Sequence, residues 1–233
     1  MDRTRPLLTY LVLGCAATLS TWAAFVLPRH PVTPSTYVRP LIPDPPRTPT
    51  PPPQSRPQVD VVFVLDTTGS MSSLLDGAKK KIWEIARFIA QGQPAPDLRI
   101  GLVAYRDIGD EYVTRTFDLT ADIQDLYANL LELKAHGGGD WPESVNEALD
   151  VAVNKLHWTP NDGVRRIVFL VGDAPPHMDY AQDTKYPVTL ATAKQKDIIV
   201  NAVLAGGAQD TARVWRDIAQ NGNGRFIQIP QDG

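Results

Sequence analysis

An acid and two hydroxyls occupy alternate positions where an apolar stretch ends, in the segment VVFVLDTTGSMSS at residues 61–73. Asp66, Thr68 and Ser70 offer only oxygen atoms as ligands, and Gly69 between them permits a tight turn. Hard divalent cations such as Mg²⁺, Mn²⁺ and Ca²⁺ prefer oxygen ligands, whereas Zn²⁺ favours cysteine or histidine. The spacing therefore predicts a divalent-cation site, with Mg²⁺ favoured and Mn²⁺ or Ca²⁺ as alternatives.

Asp173 is a second acid at the end of an apolar run, in RRIVFLVGD at residues 165–173. Ligands of open α/β sheets bind at the carboxyl ends of the parallel strands, so we expect Asp173 to lie near Asp66. Either hydroxyl of the first segment could by itself cap a helix. Capping does not account for Thr68, Ser70 and the two acids together, and we predict all four side chains to be metal ligands.

The glycine loop HGGGD, at residues 136–140, supplies a further acid, Asp140. Asp140 could bind the same ion, cap the predicted helix that has Pro142 near its start, or do both. His136 and His177 are interpreted as hydrogen-bonding loop residues, because the other predicted ligands are all oxygen atoms.

The segments that must position these side chains are apolar runs that alternate with stretches of helical period. Continuous apolar runs are typical of strands in a parallel sheet covered on both faces, and here they span 60–66, 98–107, 165–173 and 197–206. Residues 111–119 alternate as an antiparallel edge strand would, and 225–229 form the last strand. The pattern predicts an α/β fold with a doubly wound, mostly parallel six-stranded sheet, one antiparallel edge strand and three α/β/α layers. A solvated turn is predicted for three acids after the second strand, Asp107, Asp110 and Glu111.

The charge of the globular part argues against a nucleic-acid partner. Residues 59–233 carry 17 basic and 24 acidic residues. They contain no stripe of lysine and arginine interleaved with aromatic residues, which is the pattern typical of nucleic-acid-binding surfaces.

The N-terminal quarter of the chain has a different composition. After a short tail at residues 1–6, residues 7–27 carry no charge, and as a helix they would span about 32 Å, close to a bilayer core of roughly 30 Å. They are predicted to form a transmembrane helix or signal anchor, with a cleaved signal peptide ending at Ala23 as the alternative. Residues 28–58 contain 12 prolines and are predicted to form an extended linker.

These features predict a single-pass membrane protein that displays residues 59–233 outside the cytoplasm, or a secreted protein if residues 1–23 are removed. Cys15 is the only cysteine, so no disulfide can form within the chain.

The segment VFVLDTTGSMS resembles the metal-ion-dependent adhesion site (MIDAS) of von Willebrand factor type A (vWA) domains, whose pattern is D-x-S-x-S. Asp66, Thr68 and Ser70 occupy its three positions. The glycine loop lies where that family supplies a threonine, and FLVGDAPPH lies where it supplies an aspartate, so the resemblance implies Asp140 and Asp173 as further ligands. The likeness covers residues 59–233 and implies the family's Rossmann-like fold.

By this resemblance the domain binds a protein or another macromolecule through its divalent ion, and it is not an enzyme. An acidic group of the partner would complete the coordination shell. Because Asp140 would add a third carboxylate in place of the threonine, we expect tighter metal binding and weaker binding of acidic partners. The chain ends four residues after RFIQI, so we also expect no final lever helix and a constitutive binding state.

Two alternatives remain open at this point. LDTTGS also resembles the nucleophile loop of haloacid dehalogenase-type phosphotransferases, in which Asp66 would be phosphorylated and Mg²⁺ would hold the phosphate. The other alternative is a metal-stabilised structural domain with no partner at the metal.

Overall fold

The apolar runs form the strands of one sheet. The computed structural model describes residues 56–229, and its strands are β1 Gln58–Asp66, β2 Asp97–Tyr105, β3 Thr114–Thr120, β4 Arg165–Gly172, β5 Ile198–Ala205 and β6 Asn223–Ile229. Their order across the sheet is β3-β2-β1-β4-β5-β6, and β3 is antiparallel to β2 while all other neighbours are parallel. The predicted mostly parallel sheet with one antiparallel edge strand is confirmed.

Five α-helices of the described residues cover the two faces of this sheet. They are α1 Leu75–Ala90, α2 Ile123–Glu132, α3 Val145–Asn154, α4 Tyr186–Gln195 and α5 Gln209–Asn221. The first two pack on one face and the other three pack on the opposite face, which gives the three predicted layers. Pro187 lies in the first turn of α4, where a missing N–H leaves no hydrogen bond unmade.

Alternate residues of the central strand β1 contribute to two hydrophobic cores. Val61, Phe63 and Leu65 are fully buried beneath α1 and α2, and Val62 and Val64 are fully buried beneath the other three helices. Successive side chains of a strand point to opposite faces, so a strand that is covered on both faces is apolar at every position. The two cores together fix β1 at the centre of the sheet and therefore fix the residue at its end, Asp66.

Several element boundaries differ from the sequence predictions. β2 ends at Tyr105 and β4 ends at Gly172, so Asp107 and Asp173 lie in loops beyond the strand ends. A 3-10 helix, Gly69–Ser73, separates β1 from α1. We call the edge of the sheet at the carboxyl ends of the parallel strands the carboxyl rim.

The predictions for the N-terminal tail, the membrane segment and most of the proline-rich linker lie outside the described residues. Gln58, predicted to be the last residue of the linker, is the first residue of β1. Within residues 56–229, no helix combines the length and the apolar character needed to cross a bilayer.

The contact between Gly69 and the glycine loop leaves no room for a side chain. Gly69 N–H donates to the carbonyl of Gly137 at 2.9 Å, and a Cβ on Gly69 would lie 2.8 Å from that oxygen. We expect Gly69→Ala to lower the free energy of unfolding by about 1–3 kcal/mol. Gly77→Ala is the matched control, because a Cβ there meets nothing within 4 Å and should stabilise α1 by about 0.5–1 kcal/mol. Urea denaturation measures both, and equal effects of the two variants would contradict this prediction.

Candidate metal centre

Asp66 is the predicted ligand whose position is fixed most directly by the sheet. It ends the buried strand β1 and is itself fully buried. The backbone N–H and the hydroxyl of Thr68 donate to Asp66 Oδ1 at 2.8 and 2.6 Å. These two bonds hold one carboxylate oxygen in place and bring the Thr68 hydroxyl, which is also fully buried, alongside the acid.

Ser70 connects this pair to Asp173 on the other side of the rim. The hydroxyls of Thr68 and Ser70 lie 3.0 Å apart, and Ser70 Oγ donates to Asp173 Oδ1 at 2.9 Å. The structure therefore brings four of the five predicted ligands into one hydrogen-bonded chain that runs from Asp66 to Asp173.

The hydroxyls in this chain do not cap helices. The 3-10 helix begins after Thr68 and α1 begins after Leu74, and neither N-cap residue makes a side-chain capping bond. The capping alternative considered for Thr68 and Ser70 is therefore wrong. Ser70 is exposed, so the chain of oxygen atoms opens to solvent at this residue.

Glu143 is the acid of this region that the sequence predictions missed. Its side chain is 2% exposed, and a Cβ on Gly138 would lie 2.9 Å from its Oε1 and 3.3 Å from the Cβ of Thr68. Glu143 N–H donates to the carbonyl of Pro175 at 2.9 Å, which joins it to the loop that carries Asp173. The position of Glu143 in the sequence could have indicated its burial. Glu143 comes two residues before Val145, the first buried residue of α3, and therefore had to lie close to the sheet.

Two buried carboxylate oxygens at this position have no hydrogen-bond partner among residues 56–229. They are Asp66 Oδ2 and Glu143 Oε2. A buried acceptor without a donor is costly, and a divalent cation is the partner that oxygen ligands of this kind prefer. The residues present therefore fit a hard divalent ion that would be held by Asp66, Thr68, Ser70, Glu143 and Asp173, which we call the primary site.

The acids of the primary site have raised pKa values, because they are buried and some of them lie near other negative charges. Burial raises the pKa of Asp66 to about 7, against the opposing effect of its hydrogen bonds from Thr68. Burial also raises the pKa of Glu143 to about 9, and the negative charges of Asp66 and Asp107 add to the effect. The pKa of Asp173 is raised by burial as well, although its hydrogen bond from Ser70 opposes the shift. Without a cation Glu143 holds a proton at neutral pH and Asp66 is about half protonated, and a bound metal would replace those protons.

These shifts predict how metal-free stability depends on pH. Because the native state of the metal-free domain holds protons that the unfolded chain releases, its free energy of unfolding should fall as pH rises from about 4, with contributions up to pH 7 from Asp66 and up to pH 9 from Glu143. The Asp66 shift alone corresponds to about 4 kcal/mol. We expect calorimetry in EDTA to show Tm falling between pH 5 and pH 9, and Mg²⁺ to restore most of the loss at pH 8. A metal-free Tm that rises over this range would contradict the assignment.

Asp110 and Arg106 hold the glycine loop against the primary site. Asp110 Oδ2 accepts the N–H of Gly138 at 2.8 Å. Arg106 is buried and donates to the carbonyls of Thr67 and Lys134 at 3.2 and 3.1 Å and to Glu111 Oε2 at 3.2 Å, so each nitrogen of its guanidinium has an acceptor. These contacts position the loop that precedes Glu143.

Asp140 lies apart from the hydrogen-bonded chain. Its carboxylate is 61% exposed and its Oδ2 lies 3.6 Å from His177 Nε2. Among residues 56–229, no hydrogen bond joins it to the other four predicted ligands. The N-cap residue of α3 is Ser144, so the prediction that Asp140 caps this helix is wrong.

The turn after β2 is more buried than predicted. Asp107, assigned to a solvated turn, is 4% exposed and accepts hydrogen bonds from Ser144 Oγ and Tyr180 Oη, both at 2.8 Å. The loop that follows β4 covers this acid, which the sequence alone did not indicate. His136 is exposed, whereas His177 is 4% exposed and lies in the covering loop.

Comparisons with known proteins agree with this architecture. A family model for the von Willebrand factor A domain matches residues 60–230. The rat von Willebrand factor A domain-containing protein 7 is 35% identical over 120 residues, which cover 52% of this chain and 12% of that protein. The curated relatives are much longer than the matched stretch, and the chain spans 11 to 19% of their length.

Solved structures of low sequence identity share the fold. The conserved hypothetical protein BatB from Bacteroides thetaiotaomicron is 18% identical, with a TM-score of 0.56 over 74% of this chain and 90% of that chain. Proximal thread matrix protein 1 from the mussel byssus, in a structure with a zinc-occupied MIDAS motif, is 15% identical, with a TM-score of 0.58 over 76% of this chain and 43% of that chain.

Proposed function

The chain belongs to the von Willebrand factor A domain family over residues 60–230, and from this membership we propose that it is a binding module whose divalent ion bridges to an oxygen of a protein partner. The observation that carries the proposal is the pair of buried oxygens of Asp66 and Glu143 that have no hydrogen-bond partner among residues 56–229, in a site that also includes the exposed residue Ser70. An ion held there has protein oxygens beneath it and open solvent on the side of Ser70, where a partner group could complete its coordination.

The loops around the rim support a macromolecular partner. Three of them each expose a large apolar side chain, with Ile108 49%, Trp141 43% and Met178 50% exposed. Exposed apolar side chains beside polar groups are typical of protein-binding surfaces, and aromatic residues and methionine are enriched in such interfaces. A small anion bound to the metal would not contact this apolar surface, whereas a protein partner would.

The charge of the primary site bears on the chemistry of the partner. Asp66, Glu143 and Asp173 together carry three negative charges against the two of the ion. At about 4 Å and an effective dielectric near 20, one additional charge pair contributes about 4 kcal/mol before screening. We therefore propose that the primary site binds its metal more tightly than a vWA site in which a threonine replaces the third carboxylate. We also propose that the ion of the primary site binds a partner carboxylate less tightly.

Mg²⁺ is the proposed ion, because the five ligands of the primary site all offer oxygen. Mn²⁺ and Ca²⁺ have the same preference and are the alternatives. Zinc occupies the corresponding motif in the mussel thread protein, so Zn²⁺ belongs in the same titration.

Capture experiments with the full chain test the proposed function. We expect the chain to retain a partner from extracts of its native host in Mg²⁺ and to lose it in EDTA. Ser70→Ala should abolish the capture, because it removes the hydroxyl that joins Thr68 to Asp173. Ser73→Ala is the matched control, since Ser73 is exposed in the same 3-10 helix. A melting temperature that depends on Mg²⁺ with no metal-dependent capture would instead favour the metal-stabilised structural domain.

A membrane location is the other part of the proposed function. Residues 7–27 would anchor the chain, and residues 28–57, which precede β1, would hold the domain up to about 93 Å from the bilayer if fully extended. Carbonate extraction of membranes from expressing cells should leave the chain in the membrane pellet, and protease added to intact cells should release the domain. Recovery of the chain from the medium, beginning after Ala23, would indicate a cleaved signal peptide instead.

The contacts at the rim do not favour the haloacid dehalogenase-type phosphotransferase alternative. A transferring phosphoryl group needs a nearby cation besides Mg²⁺, and the buried cation of this rim, Arg106, is engaged by backbone carbonyls. Hydrolysis of p-nitrophenyl phosphate that is lost in Asp66→Asn would revive this alternative.

A further inference from the structure

A second group of potential metal ligands lies at the carboxyl rim, and the primary site does not use it. Asp107, Asp140 and His177 each offer one ligand atom, and these three atoms lie within 4.8 Å of one another. We call this group the histidine cluster. His177 Nε2 lies 3.6 Å from Asp107 Oδ2 and 3.6 Å from Asp140 Oδ2.

The hydrogen bonding of His177 leaves Nε2 without a partner. Nδ1 lies 2.8 Å from Asp179 Oδ1, and because a carboxylate can only accept, Nδ1 carries the proton of that bond. His177 is 4% exposed, and its Nε2 is buried with no hydrogen-bond partner among residues 56–229. In the neutral ring Nε2 is an acceptor, so it faces the two carboxylate oxygens without any hydrogen-bond donor of its own.

The partners of this ring orient it as in known metal sites. A metal-bound histidine usually donates its other ring nitrogen to a carboxylate, which fixes the tautomer and orients the ring. Asp179 makes that contact here, and the ring also stacks on Tyr180 at 3.9 Å with an angle of 9° between the planes. The imidazole is therefore held with Nε2 directed at the two acids.

The carboxylate of Asp107 is held in place as firmly as the imidazole of His177, and the exposed Asp140 leaves a path from solvent to the cluster. Ser144 Oγ and Tyr180 Oη each donate to one oxygen of Asp107, which holds this buried acid in place. The Asp140 carboxylate is 61% exposed, so an ion could enter from solvent on its side of the cluster. Nitrogen and oxygen ligands at about 2.0–2.2 Å from a tetrahedral ion lie about 3.4 Å from each other, close to the observed 3.6 Å.

We propose that Asp107, Asp140 and His177 form a second metal site, distinct from the primary site, that takes a borderline transition ion of the Zn²⁺ class. Zn²⁺ binds both imidazole nitrogen and carboxylate oxygen in proteins, and the two carboxylates balance the charge of the dication. Three protein ligands leave a fourth position for water or a partner group. The inference does not depend on the proposed function, because none of these three residues belongs to the primary site.

Zn²⁺ titration of the full chain by calorimetry, with Mg²⁺ saturating the primary site, tests this proposal. We expect the wild-type chain to bind Zn²⁺ and Asp140→Asn to weaken that binding by at least tenfold. His177→Gln should weaken it by a similar or larger factor. His157→Gln is the matched control, because His157 is also paired with an aspartate, Asp118, but has an exposed side chain.

A second measurement separates the two sites. Co²⁺ added in place of Zn²⁺ should give visible absorption bands of a nitrogen-containing site that survive Asp66→Asn and disappear in Asp140→Asn. Because the Asp140 side chain is exposed, we expect Asp140→Asn to fold, and an unchanged metal-free Tm would verify this. The Asp140→Asn result therefore decides the test even if His177→Gln does not fold. Equal Zn²⁺ affinity in the wild-type and Asp140→Asn chains would overturn the proposal. Absence of Zn²⁺ binding in the presence of Mg²⁺ would also overturn it.

Discussion

Asp66→Asn is expected to weaken divalent-metal binding by roughly 1,000-fold. The substitution removes one full charge from the ion's surroundings, and at about 4 Å and an effective dielectric near 20 this corresponds to about 4 kcal/mol. The carboxylate it removes is fully buried and has one oxygen, Oδ2, with no hydrogen-bond partner among the described residues. Calorimetric titration of wild type and variant with Mg²⁺ and Mn²⁺ measures the loss.

The same variant should stabilise the metal-free protein. Above pH 7 the wild-type domain must ionise Asp66 in a buried position, and asparagine has no such cost. We expect Asp66→Asn to raise the free energy of unfolding in EDTA at pH 8 by up to about 4 kcal/mol, and to have a much smaller effect at pH 4. Lower metal affinity combined with higher metal-free stability distinguishes a ligand from a residue that only supports the fold.

Asp60→Asn is the control for this prediction. Asp60 lies on the same strand and is 1% exposed, but it is near the opposite end of β1, where it accepts a hydrogen bond from Thr159 N–H at 2.7 Å. Its substitution should destabilise the fold without changing metal affinity. If Asp60→Asn and Asp66→Asn reduced metal binding equally, the assignment of Asp66 as a ligand would be wrong.

Glu143→Gln is expected to weaken Mg²⁺ binding by about 100-fold or more. It removes the third carboxylate of the primary site, while its amide preserves the shape of a side chain that is 2% exposed. Since the pKa of Glu143 is raised to about 9, the variant should also bind metal with a weaker dependence on pH between 7 and 9. Titrations at pH 7 and pH 9 test both effects.

Asp140→Asn is the matched variant for this comparison. It neutralises an acid of the same loop, three residues earlier, whose side chain is 61% exposed. We expect its Mg²⁺ affinity to stay within about threefold of wild type, because a charge outside the coordination shell and open to water is strongly screened. A large loss in Asp140→Asn with little change in Glu143→Gln would restore the ligand set expected from the sequence.

The sheet and the residues attached directly to its strands could be predicted from the amino-acid sequence alone. Strands buried on both faces are apolar at every position, so β1 and β4 are recognisable without tertiary information. The carboxyl ends of parallel strands meet at one edge, and this rule placed Asp66 and Asp173 together although 107 residues separate them. Thr68 and Ser70 could be predicted with them because they follow the same strand within four residues.

Which acid of the glycine loop turns inward depends on long-range contacts of the folded chain. Gly137 and Gly138 have φ values of 77° and 75°, a left-handed conformation that redirects the chain in a way that residue types alone do not specify. As a result Glu143 is buried beside Thr68, and Asp140 lies beside His177. The side-chain direction of a loop residue depends on backbone angles set by distant contacts, here the hydrogen bond from Gly138 N–H to Asp110.

The histidine cluster was hidden from the sequence for the same reason. Asp107, Asp140 and His177 come from three different loops, and no spacing along the chain relates them. Each loop by itself is typical of a solvated turn, and only their packing against one another buries Asp107 and His177. Periodicity along the chain fixes the positions of strands and helices, whereas contacts between loops decide which polar side chains meet.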